Sequence, residues 1–286
     1  MKLSLRSHLA KTGICGKCPP MWKFIAFASL LASAAPFSRP AVAASSPWAA
    51  GTGVKVRLVT SGGPDAEGRV KGALSIELAP GWKTYWRDPG DAGVPPRIDF
   101  SDSRNVSSVD VAYPAPHRFS DEGGIWAGYK KPVRFGLTLK ATDPSKPMEL
   151  DAKVFIGVCQ SICVPFQAQL AVDPGKDADD LTDAATVAET FAALPAAPRE
   201  DFNAIEAKKT PAALSVSATL PKPNAAAELF VAAPEGYSFG PPKRIGSESG
   251  KVAFSVPVLA GDIAAGAPRI PYTLVLQGGQ AVAGDL

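Results

Sequence analysis

The chain has few of the side chains that most often carry enzyme chemistry, with four cysteines and two histidines in 286 residues. His117 is the only histidine beyond the first 43 residues, so a zinc site built on histidine is not expected. A Ser-His-Asp triad would also depend on His117, and no G-x-S-x-G element is present to expose the serine. Histidine-based metal and hydrolytic chemistry are therefore not expected, and neither is a bound cofactor.

Long apolar runs are also missing, since no stretch reaches the length of about 18 residues that indicates a membrane-spanning helix. An apolar run at 24–35, FIAFASLLASAA, follows Lys23 and precedes Ala-Val-Ala at 41–43. This order is typical of a secretory signal with its cleavage site. We expect residues 1–43 to be a cleaved leader, with translation starting at Met21. The remainder is expected to be exported to the periplasm without a membrane span.

An excess of positive charge is absent once this leader is set aside. The whole chain carries 30 Lys and Arg against 27 Asp and Glu, but the leader holds six of the basic residues and no acidic one. Without those six, 24 basic residues face 27 acidic ones. Nucleic acid binding requires a basic surface that displaces counterions from phosphates, so nucleic acid is not an expected partner. The leader also contains Cys15 and Cys18, which leaves Cys159 and Cys163 in the exported protein.

Short alternating segments, separated by turns rich in glycine and proline, dominate residues 44–174. Residues 54–58 and 74–78 alternate apolar and polar side chains, as half-buried strands do. Further strands are predicted at 106–111, 133–139, 150–155 and 166–172. Short strands at this spacing predict a β-sandwich domain.

A helix is predicted after this unit, and a second β unit after the helix. Residues 177–194 carry acidic residues first and then apolar residues at helical spacing, and prolines end the segment. We assign 175–200 to a helical linker and 201–286 to a second, smaller β-sandwich domain. Its predicted strands lie at 214–216, 228–231, 252–258 and 270–276. The fold class is therefore all-β, and the second domain contains no Cys, His or Trp that would support redox chemistry.

Cys159 and Cys163 are separated by three residues at the end of a predicted strand. An exported pair meets an oxidising compartment and is expected to form a disulfide, and a turn can bring the two Cα atoms into bonding range. Closing so short a loop is worth only about 2 kcal/mol of stability, less than a long-range bridge gives. The pair therefore favours thiol–disulfide exchange, with a structural bridge and a metal site as the alternatives.

A second conspicuous segment is GWKTYWRDPGDAGVPP at 81–96, which has three aromatic residues among five and then a turn rich in proline and glycine. Trp82, Tyr85 and Trp86 could present an aromatic surface to a partner. Aromatic residues in strands more often belong to a core, so composition alone favours a core strand followed by a loop.

Taken together, these segments resemble a known family. The order GWKTYWRDPGDAGVPP, then YPAPHRF at 113–119, then Gly128-Tyr129, then VCQSICVP at 158–165 resembles the N-terminal periplasmic domain of the thiol:disulfide interchange protein DsbD. The nearest variety is the one attached to ScsB-like proteins and found in stand-alone exported chains. The resemblance covers about residues 50–174. It implies an immunoglobulin-like sandwich whose pair, Cys159 and Cys163, passes electrons from a membrane-embedded reductant to periplasmic disulfide proteins.

The sequence departs from the best-known members of that family in two places. Those members have five residues between the cysteines, whereas this chain has three. Their site is covered by a cap loop with acidic residues and a Phe-Tyr-Gly run. The corresponding region here, 119–126, offers Phe119 or Trp126 as the aromatic shield. The candidates for shielding or docking are Tyr85, Trp86, Asp121, Glu122 and Trp126.

The function implied by the resemblance is thiol–disulfide exchange in the periplasm, as a component of a protein-disulfide reductase. A thioredoxin-like protein or domain and a membrane electron transporter would supply electrons, and disulfide isomerases or cytochrome c maturation factors would receive them. Cys163, next to Val164-Pro165, is expected to meet the partner. The alternatives are a non-catalytic binding module with a structural disulfide, and copper handling with Met148 and His117 as further ligands.

Overall fold

The computed structural model describes residues 44–90, 92–175, 181–222, 225–248, 250–263 and 269–286. Strands make up 55% of the described residues and helix 5%, and neighbouring strands in the sheets run antiparallel. The predicted all-β class is therefore confirmed. The predicted leader, with Cys15 and Cys18, lies outside the described residues.

Twelve strands precede the helix in the described chain. They are β1 (Ala44–Ser45), β2 (Ala49–Gly51), β3 (Val54–Thr60), β4 (Arg69–Leu78), β5 (Lys83–Tyr85), β6 (Arg97–Asp99), β7 (Val106–Ala112), β8 (His117–Asp121), β9 (Gly124–Tyr129), β10 (Val133–Ala141), β11 (Leu150–Cys159) and β12 (Cys163–Val172). They form two six-stranded sheets. One has the order β1-β3-β4-β10-β7 with β2 beside β3, and the other has the order β12-β11-β5-β9-β8 with β6 beside β11.

Alternating burial explains why these strands make a sandwich. In β3, Val54, Val56 and Leu58 are buried while the residues between them are more exposed, because successive side chains of a strand point to opposite faces. β11 follows the same alternation along most of its length. The buried faces of the two sheets share one core, which includes Phe135 and Ile156. All six strands predicted before the helix are confirmed as parts of β3, β4, β7, β10, β11 and β12.

The helix α1 (Leu181–Ala192) packs on the outer face of the first sheet. Val187 contacts the buried Val59 and Ala73 there. The carboxylate of Asp183 in the first turn accepts a hydrogen bond of 2.9 Å from the guanidinium of Arg57. The helix predicted at 177–194 is thus confirmed over its described residues, and it is packed on the sandwich. No described helix is both long and apolar enough to cross a membrane.

The strands after the helix form a second sandwich. They are β13 (Asn203–Lys209), β14 (Ala213–Thr219), β15 (Ala227–Val231), β16 (Ser238–Phe239), β17 (Lys243–Glu248), β18 (Lys251–Ala260), β19 (Pro271–Leu276) and β20 (Ala281–Asp285). A five-stranded sheet has the order β13-β14-β18-β16 with β17 beside β18, and a three-stranded sheet has the order β15-β19-β20. The two sheets enclose a core of their own, in which Phe202, Val256 and Leu274 are fully buried. The predicted smaller β-sandwich is confirmed as a fold.

Candidate functional site

The two cysteines lie opposite each other at the closed end of the β11–β12 hairpin. The register pairs Cys159 with Cys163, and their Cα atoms are 4.0 Å apart. The sulfur atoms form a disulfide across the turn 160–162. In the turn, the backbone N–H of Gln160 donates to the carbonyl of Ile162 at 3.1 Å. The register of the hairpin therefore places the two cysteines opposite each other.

The two cysteines differ in their access to solvent. Cys159 is 1% exposed, whereas Cys163 is exposed, and Ile162 beside it is 73% exposed. The difference arises because Cys159 ends a strand whose neighbour β5 covers it, while β12 is the edge strand of its sheet. A thiolate from another protein can therefore reach the sulfur of Cys163 more easily than that of Cys159.

The hydroxyl of Tyr85 contacts both sulfur atoms. Its oxygen lies 3.1 Å from Sγ of Cys159 and 3.4 Å from Sγ of Cys163. Strand β5 places it there by pairing with β11, where Thr84 faces Val158. Burial raises the pKa of the Tyr85 hydroxyl above its ordinary value of 10.0, and the negative charge of Asp121 raises it further. Tyr85 therefore keeps its proton at neutral pH and can donate a hydrogen bond to sulfur.

Two glycines leave room for the ring of Tyr85, and a third leaves room for the backbone next to it. A Cβ atom at Gly157 would lie 3.2 Å from two ring carbons, and one at Gly93 would lie 2.7 Å from a third. A Cβ atom at Gly128 would come within 2.3 Å of the carbonyl oxygen of Thr84. A glycine in a strand interior marks a place where another part of the chain approaches closely. These glycines allow the tyrosine to lie against β11 beside the disulfide.

Two further aromatic rings complete an aromatic cover, which we define as Tyr85, Phe119 and Trp126. Trp126 meets Tyr85 edge-on, with ring centroids 5.6 Å apart and planes at 80°. Phe119 stacks on Trp126 at 4.4 Å. Tyr85, Trp126 and Cys159 form one buried cluster, against which Phe119 is partly buried. The cover thus shields the inner sulfur and leaves the outer sulfur open.

A charged pair fixes the cover at its outer edge. Oδ2 of Asp121 accepts hydrogen bonds from Nε1 of Trp126 at 2.7 Å and from Nζ of Lys83 at 2.5 Å. The ammonium of Lys83 also lies 4.3 Å from the centre of the Trp126 ring. The hydrogen bonds from Lys83 and Trp126 lower the pKa of the Asp121 carboxyl below 3.8. Asp121 is therefore a carboxylate at neutral pH and orients the tryptophan.

The structure brings most of the predicted site residues together. Tyr85 and Trp126 form a buried cluster with Cys159, Asp121 binds Trp126, and Phe119, one of the two predicted shields, is stacked on Trp126. The region predicted as a cap loop is a hairpin of β8 and β9, joined by a two-residue turn. Glu122 is exposed in that turn, and Trp86 is buried in the sandwich core. These two candidates therefore do not lie over the disulfide.

Two kinds of site residue escaped the sequence analysis. Lys83 was passed over although it lies in the aromatic segment, because only the register of β5 with β11 places it opposite Cys159. Gly93, Gly128 and Gly157 also lie in the segments that carry the family resemblance or next to them. The role of each glycine follows from the ring or backbone that approaches it, which sequence alone does not show.

The residues suggested as copper ligands are not gathered at the cysteines. Met148 is buried in the core between the two sheets, and His117 is exposed at the start of β8. Within the described residues, no group of three or more His, Cys, Asp and Glu side chains could hold a metal ion. The geometry around the pair is that of a covered disulfide.

A disulfide open at one sulfur, with a hydroxyl in contact with both sulfurs, is an arrangement suited to thiol exchange. Residues 59–173 match the family model of the N-terminal domain of the thiol:disulfide interchange protein DsbD. The match contains both cysteines and the whole aromatic cover. The predicted resemblance to the DsbD N-terminal domain is thereby confirmed over these residues, and it supports a thiol:disulfide interchange module.

Solved structures extend the likeness beyond the matched segment. The N-terminal periplasmic domain of ScsB from Proteus mirabilis superposes with a TM-score of 0.65 at 23% identity. The alignment covers 85% of this chain and 98% of that domain. The first sandwich alone is too short to account for the aligned part of this chain. The fold of that domain is therefore shared by both sandwiches of this chain. No curated protein matches the sequence.

Proposed function

We propose that this chain is a periplasmic thiol–disulfide exchange module that passes electrons through Cys159 and Cys163. The observation that carries the proposal is the asymmetry of the disulfide: Cys163 is exposed, whereas Cys159 is buried in a cluster with Tyr85 and Trp126. A bridge that served stability alone would need neither an open sulfur nor a donor placed on both sulfurs. The family match over 59–173 supports the same chemistry.

In the proposed reaction, the thiolate of a reduced partner attacks Sγ of Cys163. A bond forms between the partner sulfur and Cys163, the bond between Cys163 and Cys159 breaks, and Cys159 leaves as a thiolate with the electron pair. A second thiolate of the partner then attacks the partner sulfur of the mixed disulfide and releases Cys163. The partner ends as a disulfide and the cysteine pair as a dithiol. The pair then reduces a client disulfide by the same steps in reverse.

Tyr85 and the cover suit the order of these steps. The hydroxyl of Tyr85 lies 3.1 Å from the sulfur of Cys159, which carries the negative charge when the bridge opens. A hydrogen bond to the charged form favours that form, so Tyr85 would stabilise the leaving thiolate. Trp126 and Phe119 keep other thiols away from it, so that Cys163 is attacked first.

The partners proposed are a thioredoxin-like protein or domain, supplied by a membrane electron transporter. An exposed aliphatic side chain beside the cysteines would meet the apolar surface of such a partner. Ile162 lies between Cys159 and Cys163 and is 73% exposed. Disulfide isomerases or cytochrome c maturation factors are the proposed clients. The proposal includes export by a cleaved leader, residues 1–43. It also includes division of the rest of the chain into a first sandwich domain (44–174), a helical linker (175–200) and a second sandwich domain (201–286). The periplasmic origin of the ScsB domain supports the proposed location.

The deciding measurement is the reduction potential of the Cys159–Cys163 pair in the exported chain, equilibrated against glutathione and determined by thiol trapping and mass spectrometry. Exchange proteins have potentials of roughly −180 to −270 mV, and we expect a value in that range. A potential below about −300 mV is that of a structural bridge. That result would overturn electron transfer and favour the non-catalytic binding module.

Two single variants assign the roles of the sulfurs. Cys159→Ser leaves the exposed Cys163 as the only thiol, and we expect it to react with oxidised glutathione more than about tenfold faster than the buried Cys159 of Cys163→Ser. Circular dichroism establishes that both variants are folded. Equal rates, or faster reaction of Cys159, would contradict the proposed order of attack.

A further inference from the structure

Two strands of the exchange site have a second face that contacts the other sandwich. Tyr85 and Phe119 belong to the aromatic cover, and each has a direct sequence neighbour, Trp86 and Arg118, that contacts β15 instead. Successive residues of extended chain point to opposite sides. A displacement of the chain at Trp86 or Arg118 therefore also displaces Tyr85 or Phe119 of the cover.

Phe230 is the centre of this contact. It is 2% exposed and belongs to the core of the first sandwich, while its neighbours Leu229 and Val231 belong to the core of the second. Its ring meets that of Trp86 with centroids 5.9 Å apart and planes at 68°. The guanidinium carbon of Arg118 lies over the Phe230 ring, 4.6 Å from its centroid. One residue of β15 thus packs against the chain next to Tyr85 and next to Phe119.

Hydrogen bonds hold the same segments. Arg118 donates from its guanidinium to the carbonyl of Leu229 at 2.9 Å. Oδ2 of Asp88 accepts from the backbone N–H of Ala233 at 2.7 Å, and its Oδ1 accepts from the N–H of Gly90 at 3.2 Å. Asp88 lies in the turn that follows β5, three residues after Tyr85. The segments that carry Tyr85 and Phe119 are therefore each tied to the second sandwich by a contact with the Phe230 ring and a hydrogen bond.

We propose that the second sandwich is part of the exchange site and acts as a clamp that holds the aromatic cover over Cys159. Phe230 and Asp88 are positioning residues: they touch neither sulfur, but they fix the strands that place Tyr85 and Phe119. The inference rests on the proposed function, since shielding of the inner sulfur matters only if the disulfide exchanges. It gives the second sandwich, which contains no cysteine, a role in that chemistry.

The test compares two variants of the exported chain that remove equal side chains at different places. Phe230→Ala removes the ring that contacts Trp86 and Arg118. Phe254→Ala removes a ring that is also 2% exposed but lies in the core of the second sandwich. Each reduced variant is treated with iodoacetamide below its unfolding temperature, and mass spectrometry gives the alkylation rates of Cys159 and Cys163 separately.

We expect Cys159 to be alkylated much more slowly than Cys163 in the unsubstituted chain. In Phe230→Ala the ratio of the two rates should shift toward Cys159 by about two- to tenfold, the factor that corresponds to loss of an aromatic pair. In Phe254→Ala, at the same decrease in unfolding temperature, the ratio should not change. An equal shift in both variants would mean that general destabilisation is responsible and would overturn the clamp.

A pair of variants at Asp88 keeps the test decisive if Phe230→Ala does not fold. Asp88→Ala removes the acceptor of the Ala233 N–H and should shift the alkylation ratio in the same direction. Asp88→Asn retains a carbonyl oxygen that can accept this bond and should restore most of the original ratio. Unchanged ratios in Asp88→Ala would count against the clamp. A potential below about −300 mV in the unsubstituted chain would instead overturn the exchange function and leave these ratios interpretable.

Discussion

The hydroxyl of Tyr85 is the polar group best placed to influence the sulfur chemistry. It is buried, protonated at neutral pH and within hydrogen-bonding distance of both sulfurs. In the disulfide it contacts two neutral acceptors, and in the dithiol it can donate to whichever sulfur is charged. Because hydrogen bonds to charged groups are the stronger ones, the hydroxyl should stabilise the reduced form more than the oxidised form.

Tyr85→Phe should therefore make the pair harder to reduce. The variant keeps the ring and its edge-on contact with Trp126 but loses the donor to the thiolate. A hydrogen bond to a charged group is worth about 1.5 kcal/mol, which corresponds to a potential about 30 mV more negative. The glutathione equilibrium measures this shift. Tyr272→Phe, which removes a buried hydroxyl that accepts from the N–H of Ala204, is the control and should leave the potential unchanged. An unaltered potential in Tyr85→Phe would exclude the stabilising role.

At the residue scale, the sequence could predict the kinds of side chain at the site but not their environments. The cysteine pair, Tyr85, Asp121 and Trp126 could be selected from motifs. That Cys159 is buried and Cys163 exposed depends on which strand neighbours each cysteine, and this is a property of sheet order. Trp86 was a poor candidate for the same reason, because the alternation of side chains turns it away from Tyr85 and into the core.

At the scale of elements, the β8–β9 hairpin positions most of the cover. Phe119 and Trp126 are directly opposite each other in its register, which explains their stacked rings. Asp121 pairs with Gly124 at the turn, where φ of Gly124 is 116°, a conformation that glycine adopts readily. The hairpin thus brings the carboxylate back toward the indole, and Lys83 of β5 joins the hairpin to the next strand.

The pKa of Asp121 predicts how the cover responds to acid. A carboxyl whose pKa is lowered on folding stabilises the folded arrangement above its ordinary pKa and loses this effect as the pH falls through the lowered value. The starting value is 3.8, so the cover should persist from neutral pH down to that value and loosen only below it. The measurement is the rate of disulfide reduction by a water-soluble phosphine, divided by that of a flexible peptide disulfide at the same pH.

This relative rate should be constant above pH 3.8 and rise below it, by no more than about fivefold for an exposed ion pair. Asp121→Asn should show the raised rate already at neutral pH and no further increase in acid. Glu122→Gln, which alters an exposed carboxylate in the same turn, is the matched control. A rise that begins near neutral pH would assign the loosening to another group.

The strands that sequence analysis missed include short ones at the site, β5 and β8, and others away from it, such as β13 and β17. β5 has three residues and β8 has the mixed sequence HRFSD, so neither shows a full period of alternation. The long strands β3, β4, β10 and β11 have seven to ten residues, and each was predicted over part of its length. The aromatic segment at 81–96 was interpreted either as part of the core or as an aromatic surface for a partner. It contributes to both the core and the site, since Trp86 belongs to the core and Tyr85 to the site.

At the scale of the whole molecule, the two sandwiches are joined by hydrogen bonds as well as by the covalent chain. Arg118 and Leu229, and likewise Asp88 and Ala233, are more than a hundred residues apart in sequence and are joined by hydrogen bonds. Such contacts leave no periodic signal in the sequence, because each side chain is ordinary within its own strand. The division of the chain into separate β units was therefore predictable, but the contact between the units was not.

These contacts predict that the oxidised protein unfolds in one cooperative step. In the proposed exported chain, without residues 1–43, the tryptophans lie in the first sandwich, at positions 48, 82, 86 and 126, so tryptophan fluorescence follows that sandwich. Far-ultraviolet circular dichroism follows the strands of both. We expect the two thermal transitions to coincide, which is the signature of a two-state process. Transitions that already differ in the unsubstituted chain would show that the sandwiches unfold independently.

Phe230→Ala should separate the two transitions, because it removes the side chain that β15 contributes to the core of the first sandwich. Truncation of a buried phenylalanine to alanine costs about 3 kcal/mol or more, and here that loss falls on the contact between the sandwiches. Phe254→Ala incurs a similar cost inside the second sandwich, so it should lower the transition temperature while the two probes still coincide. If the probes also stay together in Phe230→Ala, the sandwiches are coupled mainly through the helix and the remaining hydrogen bonds. Phe230 would then fill the core of the first sandwich without coupling the two.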